Sequence, residues 1–239
     1  MNPSFVPPQL VFELARKSRF SFLCRACGIC CSGKAIRVGP YEVLRLSRNL
    51  GLSTTRFLND FTEEGGIVLR TRPDGSCLFL ESGRCRVHPD RPLACRLYPL
   101  GMKVDGKGRQ SFARFPLHSE CQAECGTDSR LDSFLRSQGI APFLAYNRRY
   151  THVLRRMIGL LMPSASGTSA QETAMEIRVG GKDRRRGRNP LFSPWLDVDR
   201  SVTAFCRKMG FTPPQDMDKL MESHLAIMEE WIESLGEIA

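Results

Sequence analysis

Between residues 24 and 31 the chain reads Cys24-Arg25-Ala26-Cys27-Gly28-Ile29-Cys30-Cys31, four thiols in eight residues with the spacing CxxCxxCC. Two-residue gaps let the backbone fold back so that successive sulfurs can face one metal centre. Gly28 supplies the backbone freedom that so tight a loop needs. A hydrophobic core has no use for thiols at this density. The stretch therefore predicts metal ligation rather than a disulfide knot or a chance cluster of small buried side chains.

Nine of the ten cysteines fall between residues 24 and 125: Cys24, Cys27, Cys30, Cys31, Cys77, Cys85, Cys95, Cys121 and Cys125. The tenth, Cys206, stands beside Phe205 on an apolar helical face and reads as a small buried hydrophobe. Nine thiols can fill two four-cysteine sites with one left over. Zinc takes four thiolates tetrahedrally, and a 4Fe–4S cubane also takes four. A CxxCxxC run resembles the grip on three corners of a cubane, whereas zinc sites more often use separated CxxC pairs. An iron–sulfur cluster is the expected cofactor, with Zn2+ as the alternative. Adjacent Cys30 and Cys31 point in different directions, so the knuckle cannot be self-sufficient. Cys77, Cys85 and Cys95 are expected to join it in one composite site.

Several thiolates together repel one another unless cations compensate them. Arg25, Lys34, Arg84, Arg86, Arg91 and Arg96 lie in sequence beside or near cysteines. They read equally as that compensation or as an ordinary solvated face. His88 and His118 each lie three residues from a cysteine, and each reads more readily as a neighbour of the site than as a nitrogen ligand. Asp60, Glu63 and Glu64 form no paired-carboxylate site, and no Ser/His/Asp order or phosphate loop stands out.

The 239 residues leave room for one large domain or two small ones, and 41% hydrophobic residues make a real core feasible. A net charge of +10 points towards nucleic acid, an anionic surface or an acidic cofactor. No aromatic-rich binding motif accompanies the charge, so a solvated basic surface is the better reading and nucleic acid is not an expected partner. Met1 to Leu14 has no basic leader and carries Pro7-Pro8 and Glu13, which argues against a signal peptide. No apolar run approaches the roughly 20 residues of a membrane span. A cytoplasmic location, where thiols stay reduced, is expected. The partner is an unknown protein or substrate.

Taken in order, residues 5–14 suggest a turn and short helix, and Arg19 to Leu23 a strand leading into the knuckle. Tyr41 to Leu50 has helical spacing with Gly51 at its end, and Ser53 or Thr54 can cap a second helix through Phe61. Ile67 to Thr71 is β-prone, and Pro73-Asp74-Gly75 is a turn. Residues 77–80 and 84–87 read as a hairpin with Cys77 and Cys85 on opposite strands. Residues 90–97 read as one helix capped by Asp90, with Cys95 in its early turns, where the dipole favours a thiolate. Residues 100–104 and 110–115 flank a turn as a second hairpin, and Cys121 and Cys125 form a further turn. Helices are expected over 143–161, around Trp195 to Met209, and over 217–235, separated by a polar and basic linker near 163–190.

The ordered combination of CxxCxxCC, Cys77-Leu78-Phe79-Leu80, Gly83-Arg84-Cys85 and Arg91-Pro92-Leu93-Ala94-Cys95-Arg96-Leu97-Tyr98-Pro99 resembles the YkgJ-type cysteine-cluster proteins. These are described as zinc- or iron-chelating, or as iron–sulfur-containing. The resemblance covers about residues 20–126. It implies Cys24, Cys27, Cys30, Cys31, Cys77, Cys85 and Cys95 as ligand candidates, with Cys121 and Cys125 matching a late cysteine more loosely. The same module appears in flagellin lysine N-methylases, which would imply use of S-adenosylmethionine. This chain shows no glycine-rich loop for that cofactor.

The expected fold is α+β: a small metal-stabilised cysteine-cluster domain at 1–126 with short hairpins and helices, then an α-helical region at 127–239. The expected function is iron–sulfur cluster binding in electron transfer, sensing or an accessory role. The alternatives are an S-adenosylmethionine-dependent protein lysine methyltransferase and an interaction protein with purely structural zinc.

Overall fold

The computed structural model describes residues 10–161 and 193–236. The chain is α+β, and the described residues form helices beside four separate two-stranded antiparallel pairs. The expected linker at 163–190, and residues 5–9 of the expected N-terminal helix, lie outside the described residues.

Two compact units divide the chain: the described parts of Met1–Ile36 with Thr71–Ala141, and of Arg37–Arg70 with Pro142–Ala239. All nine clustered cysteines fall in the first unit, and residues 37–70, numbered among them in the linear division at 126, fall in the second.

In the first unit the strand Arg19–Leu23 pairs with Glu124–Arg130, in the register Phe22↔Cys125 and Leu23↔Glu124. The expected turn at 121–125 therefore ends sooner: Cys121 closes a turn onto the His118 carbonyl, while Cys125 is already in a strand. The hairpin Leu100–Val104 with Gln110–Arg114 forms as expected. Its outer edge recruits Leu14, which exchanges two backbone hydrogen bonds with Phe112 at 2.8 and 3.0 Å. Leu14 is thus an isolated bridge on that edge, and residues 10–14 are not helical.

The cysteine hairpin is shorter than its sequence suggests. Only Leu80–Glu81 and Arg84–Cys85 pair, around Ser82 (φ 48°) and Gly83 (φ 76°). Two consecutive positive φ angles make the two-residue turn that suits a twisted hairpin, and that turn fixes Leu80, not Cys77, opposite Cys85. Cys77 instead bridges to Thr71. The expected helix at 90–97 is also split, into a short turn at His88–Asp90 and a helix at Leu93–Leu97. Pro92 is the cause: it drives Arg91 into an extended conformation (φ −55°, ψ 145°), so the helix starts past Pro92 rather than at Asp90.

In the second unit, Pro40–Asn49 ends as expected. Gly51 adopts φ 66°, and Leu52 and Gly51 donate back to Ser47 and Arg48. Ser53 caps Thr54–Phe61, its hydroxyl accepting the Arg56 N–H at 3.2 Å. Helices Val198–Met209 and Met217–Gly236 bury Val202, Cys206, Met221, Leu225, Met228 and Ile232, while Met209, on the same expected helix, is 51% exposed. Cys206 is 7% exposed, a core side chain as expected. Among the described residues no helix is long and apolar enough to cross a membrane.

Candidate metal centre

Positive φ angles shape the knuckle. Ala26 (φ 53°) and Gly28 (φ 75°) flank Cys27 and turn the chain twice within three residues. Ile29–Cys31 then make one short helical turn. A Cβ at Gly28 would lie 3.1 Å from both the Gly83 carbonyl oxygen and the Leu80 side chain, so the knuckle is laid directly against the cysteine hairpin. Three further links run between them. The Gly33 N–H donates to Gly75 at 3.1 Å, Ser32 bridges to Ser76, and the Cys77 N–H donates to the Cys31 carbonyl at 2.8 Å.

This backbone brings five thiols into mutual electrostatic reach. Cys31 donates a thiol hydrogen bond to Cys30, which is the largest reason that Cys31 stays protonated; burial and the charges of Cys30, Cys77 and Cys85 act the same way. Cys30, accepting that bond and facing Lys34 and Arg91, falls to about 6 despite its burial. Burial raises Cys85, with Cys77 and Cys30 adding to it. Burial likewise pushes Cys95 up to about 12, with Cys77, Cys85 and Cys30 adding to it. Cys95 does lie in the helix Leu93–Leu97, but desolvation outweighs the dipole of so short a helix, contrary to the thiolate expected from sequence.

Of the remaining four cysteines, two act on this group. Cys27 and Cys121 share a thiol hydrogen bond, and the charge of Cys30 reaches both. Cys24 and Cys125 are exposed. The Cys24 sulfur accepts the Ala26 N–H at 3.4 Å, and burial still raises the Cys125 thiol, with Arg114 opposing.

Of the six candidate cations, two act on the thiols. Lys34 sits 3.5 Å from the Tyr98 ring centre, and burial lowers its pKa while Cys30, Cys95, Cys31 and Cys121 draw it upward. Arg91 acts on Cys30, Cys85 and Cys95. Others are engaged elsewhere: Arg25 with Glu124, Arg86 with Glu81, and Arg96 with the carbonyls of Pro89, Arg91 and Gln138. His88 contacts Arg91, and the His118 ring nitrogen accepts the Glu120 N–H. Tyr98 belongs to the motif that carries the resemblance but was given no role from sequence. Its hydroxyl is pushed up to about 12 by burial and then by Cys121, Cys30, Cys125 and Cys27, so it stands where the two groups of thiols meet.

The donor chemistry suits a thiophilic metal, because several half-buried thiols act on one another beside cations that offset thiolate charge. The thiols are neighbours rather than a formed coordination sphere: among the described residues no three His, Cys, Asp or Glu side chains converge as a metal-holding group.

A family model described as "CxxCxxCC: Putative zinc- or iron-chelating domain" matches residues 23–126. Residues 23–126 are thus similar to the CxxCxxCC domain. The match takes in all nine clustered cysteines and the hairpins that carry them. No curated protein and no solved structure matches the chain. Metal chelation by zinc or iron is the property described for the CxxCxxCC domain, in agreement with the donor chemistry.

Proposed function

We propose that the CxxCxxCC domain binds an iron–sulfur cluster and serves in electron transfer, sensing or an accessory role in the cytoplasm. The observation that carries this reading is the group of five thiols, Cys30, Cys31, Cys77, Cys85 and Cys95, drawn from three chain segments beside Lys34 and Arg91. These five are the residues that would hold the metal. A bound cluster would supply one-electron chemistry, and bound zinc would supply none.

The protein's own contribution is electrostatic. Burial of Cys85 and Cys95 disfavours their bare thiolates, so a cation of high charge is the partner that recovers the lost solvation. Lys34 and Arg91 reduce the repulsion among ligands that must all lose protons.

The test is anaerobic purification after iron-replete expression, followed by iron, zinc and acid-labile sulfide analysis and a visible spectrum. Brown protein with iron and sulfide is expected. A colourless protein with stoichiometric zinc and no sulfide overturns the cluster and leaves zinc in a structural role.

A further inference from the structure

The helix Val198–Met209 closes on Gly210 (φ 76°), whose N–H donates to the Arg207 carbonyl at 3.4 Å, while the Phe211 N–H donates to the Cys206 carbonyl at 2.8 Å. This pair of bonds fixes the backbone of the residue after the glycine, whose apolar side chain commonly folds back onto the helix. Phe211 departs from that habit. Its backbone is held, yet its side chain is 67% exposed, the most exposed large hydrophobic residue among those described. Met209, two positions earlier, is exposed as well. Phe211 borders an open, mainly apolar groove that runs along the helix Met217–Gly236, with Phe205, Pro214, Ala226 and Ile227 on its walls. An aromatic held rigidly in solvent beside an apolar groove places a knob next to a hole on one surface. A two-fold, self-complementary interface requires that combination.

The charges along the groove have the same property. Lys219 lines it near the start of Met217–Gly236, and Arg207 and Lys208 make the last turn of the preceding helix basic. Two carboxylates at that end are engaged within the chain: Glu222 by Arg149 at 2.7 Å, and Asp218 by the Tyr146 hydroxyl at 3.1 Å. Glu230 lines the groove eleven residues beyond Lys219, about 16 Å along the helix. A second copy turned end for end matches both signs at once. We propose that this face joins two copies of the chain about a two-fold axis across the groove. Each Phe211 then enters the groove of the other copy towards Ile227, and each Lys219 meets Glu230 of the other copy.

This inference rests on the second unit alone and not on the metal reading. The experiment uses the full chain as purified anaerobically, with its metal content recorded and a non-chelating reductant present so that no intermolecular disulfide contributes. Sedimentation equilibrium is run across roughly 1 to 200 μM, the range in which a small interface dissociates. The mass should rise from one chain to two. Phe211→Ser should weaken association about tenfold or more. Its melting followed by tryptophan fluorescence should be unchanged, because the side chain it removes is exposed. Lys219→Glu and Glu230→Lys should each weaken the dimer, and the double variant, which exchanges the signs, should restore it. A chain that stays monomeric throughout overturns the proposal and leaves the face to a different protein. A dimer that Phe211→Ser leaves intact overturns it by placing the interface elsewhere. A double variant no stronger than its singles overturns the end-for-end pairing.

Discussion

The backbone N–H of Cys77 donates to the carbonyl of Cys31 at 2.8 Å, clipping the last residue of the knuckle to the first residue of the later cysteine group. The bond uses main-chain atoms only, so it does not depend on either thiol. Side-chain replacements can therefore separate metal binding from folding of this clip. Cys77→Ala and Cys95→Ala should each lower metal per chain, as Cys31→Ala should. Cys206→Ala, in the core of the other unit, should not. Elemental analysis of the four variants checks this, and undiminished metal in Cys95→Ala would remove that residue from the site.

Cys30 should be the most reactive thiol of the five in metal-free protein. Its partner Cys31, with Lys34 and Arg91, holds it at about 6, so it is largely thiolate at neutral pH and becomes protonated as pH falls below that value. Timed alkylation with peptide mapping should mark Cys30 before Cys85 and Cys95, whose burial keeps them protonated. The preference should fade towards pH 5. Lys34→Met should slow labelling at neutral pH by removing one of the charges that favour the thiolate. Equal labelling of Cys30 and Cys95 at pH 7 would contradict this.

The parts of this site that were legible in the sequence are those written in local spacing. CxxCxxCC, the Gly83 turn and the 100–114 hairpin each depend on a few neighbouring residues, and each forms. What was not legible depends on register and on long-range pairing. The hairpin was read to place Cys77 and Cys85 on opposite strands, but only Leu80–Glu81 and Arg84–Cys85 pair around the turn at Ser82-Gly83, so Cys77 lies outside the ladder. Arg19–Leu23 announced a strand without its partner, since Glu124–Arg130 is polar and lacks apolar alternation. Pro92 carried a readable signal, the restriction it places on Arg91, which outweighs the helical spacing around it.

Gly28 gives a test of how the knuckle is seated. Its φ of 75° disfavours any side chain, and a Cβ would press on the Gly83 carbonyl and the Leu80 side chain at 3.1 Å. Gly28→Ala should cost about 1–2 kcal/mol from the left-handed backbone alone. Metal content should fall with it, because the strain is relieved by moving the knuckle off the hairpin. Gly33→Ala is the control: it shares a positive φ of 67° but meets nothing within 4 Å. Both variants should lose stability, and only Gly28→Ala should also lose metal. Equal metal loss in the two would show that backbone strain, not the knuckle–hairpin contact, sets metal content.

The second unit carries its own pH dependence at Asp199. Burial raises this carboxyl, but the hydrogen bonds from Arg48 and from the Thr54 N–H, the latter at 2.7 Å, hold it below the usual carboxylate range. A carboxyl depressed in the folded state adds stability above its unfolded value, near 4, and that stability is lost as pH falls through the lower folded value. Arg48→Met removes the cation. It should cost on the order of 1 kcal/mol at neutral pH, a modest figure because the Arg48 side chain is 39% exposed. The difference from the parent protein should shrink as pH drops below 4, where Asp199 becomes protonated in both. Both tryptophans, Trp195 and Trp231, lie in this unit, so denaturant unfolding followed by tryptophan fluorescence at a series of pH values reads it directly. A cost that stays constant from pH 7 to pH 3 would show that Arg48 contributes by packing its methylene groups rather than by holding the Asp199 carboxylate.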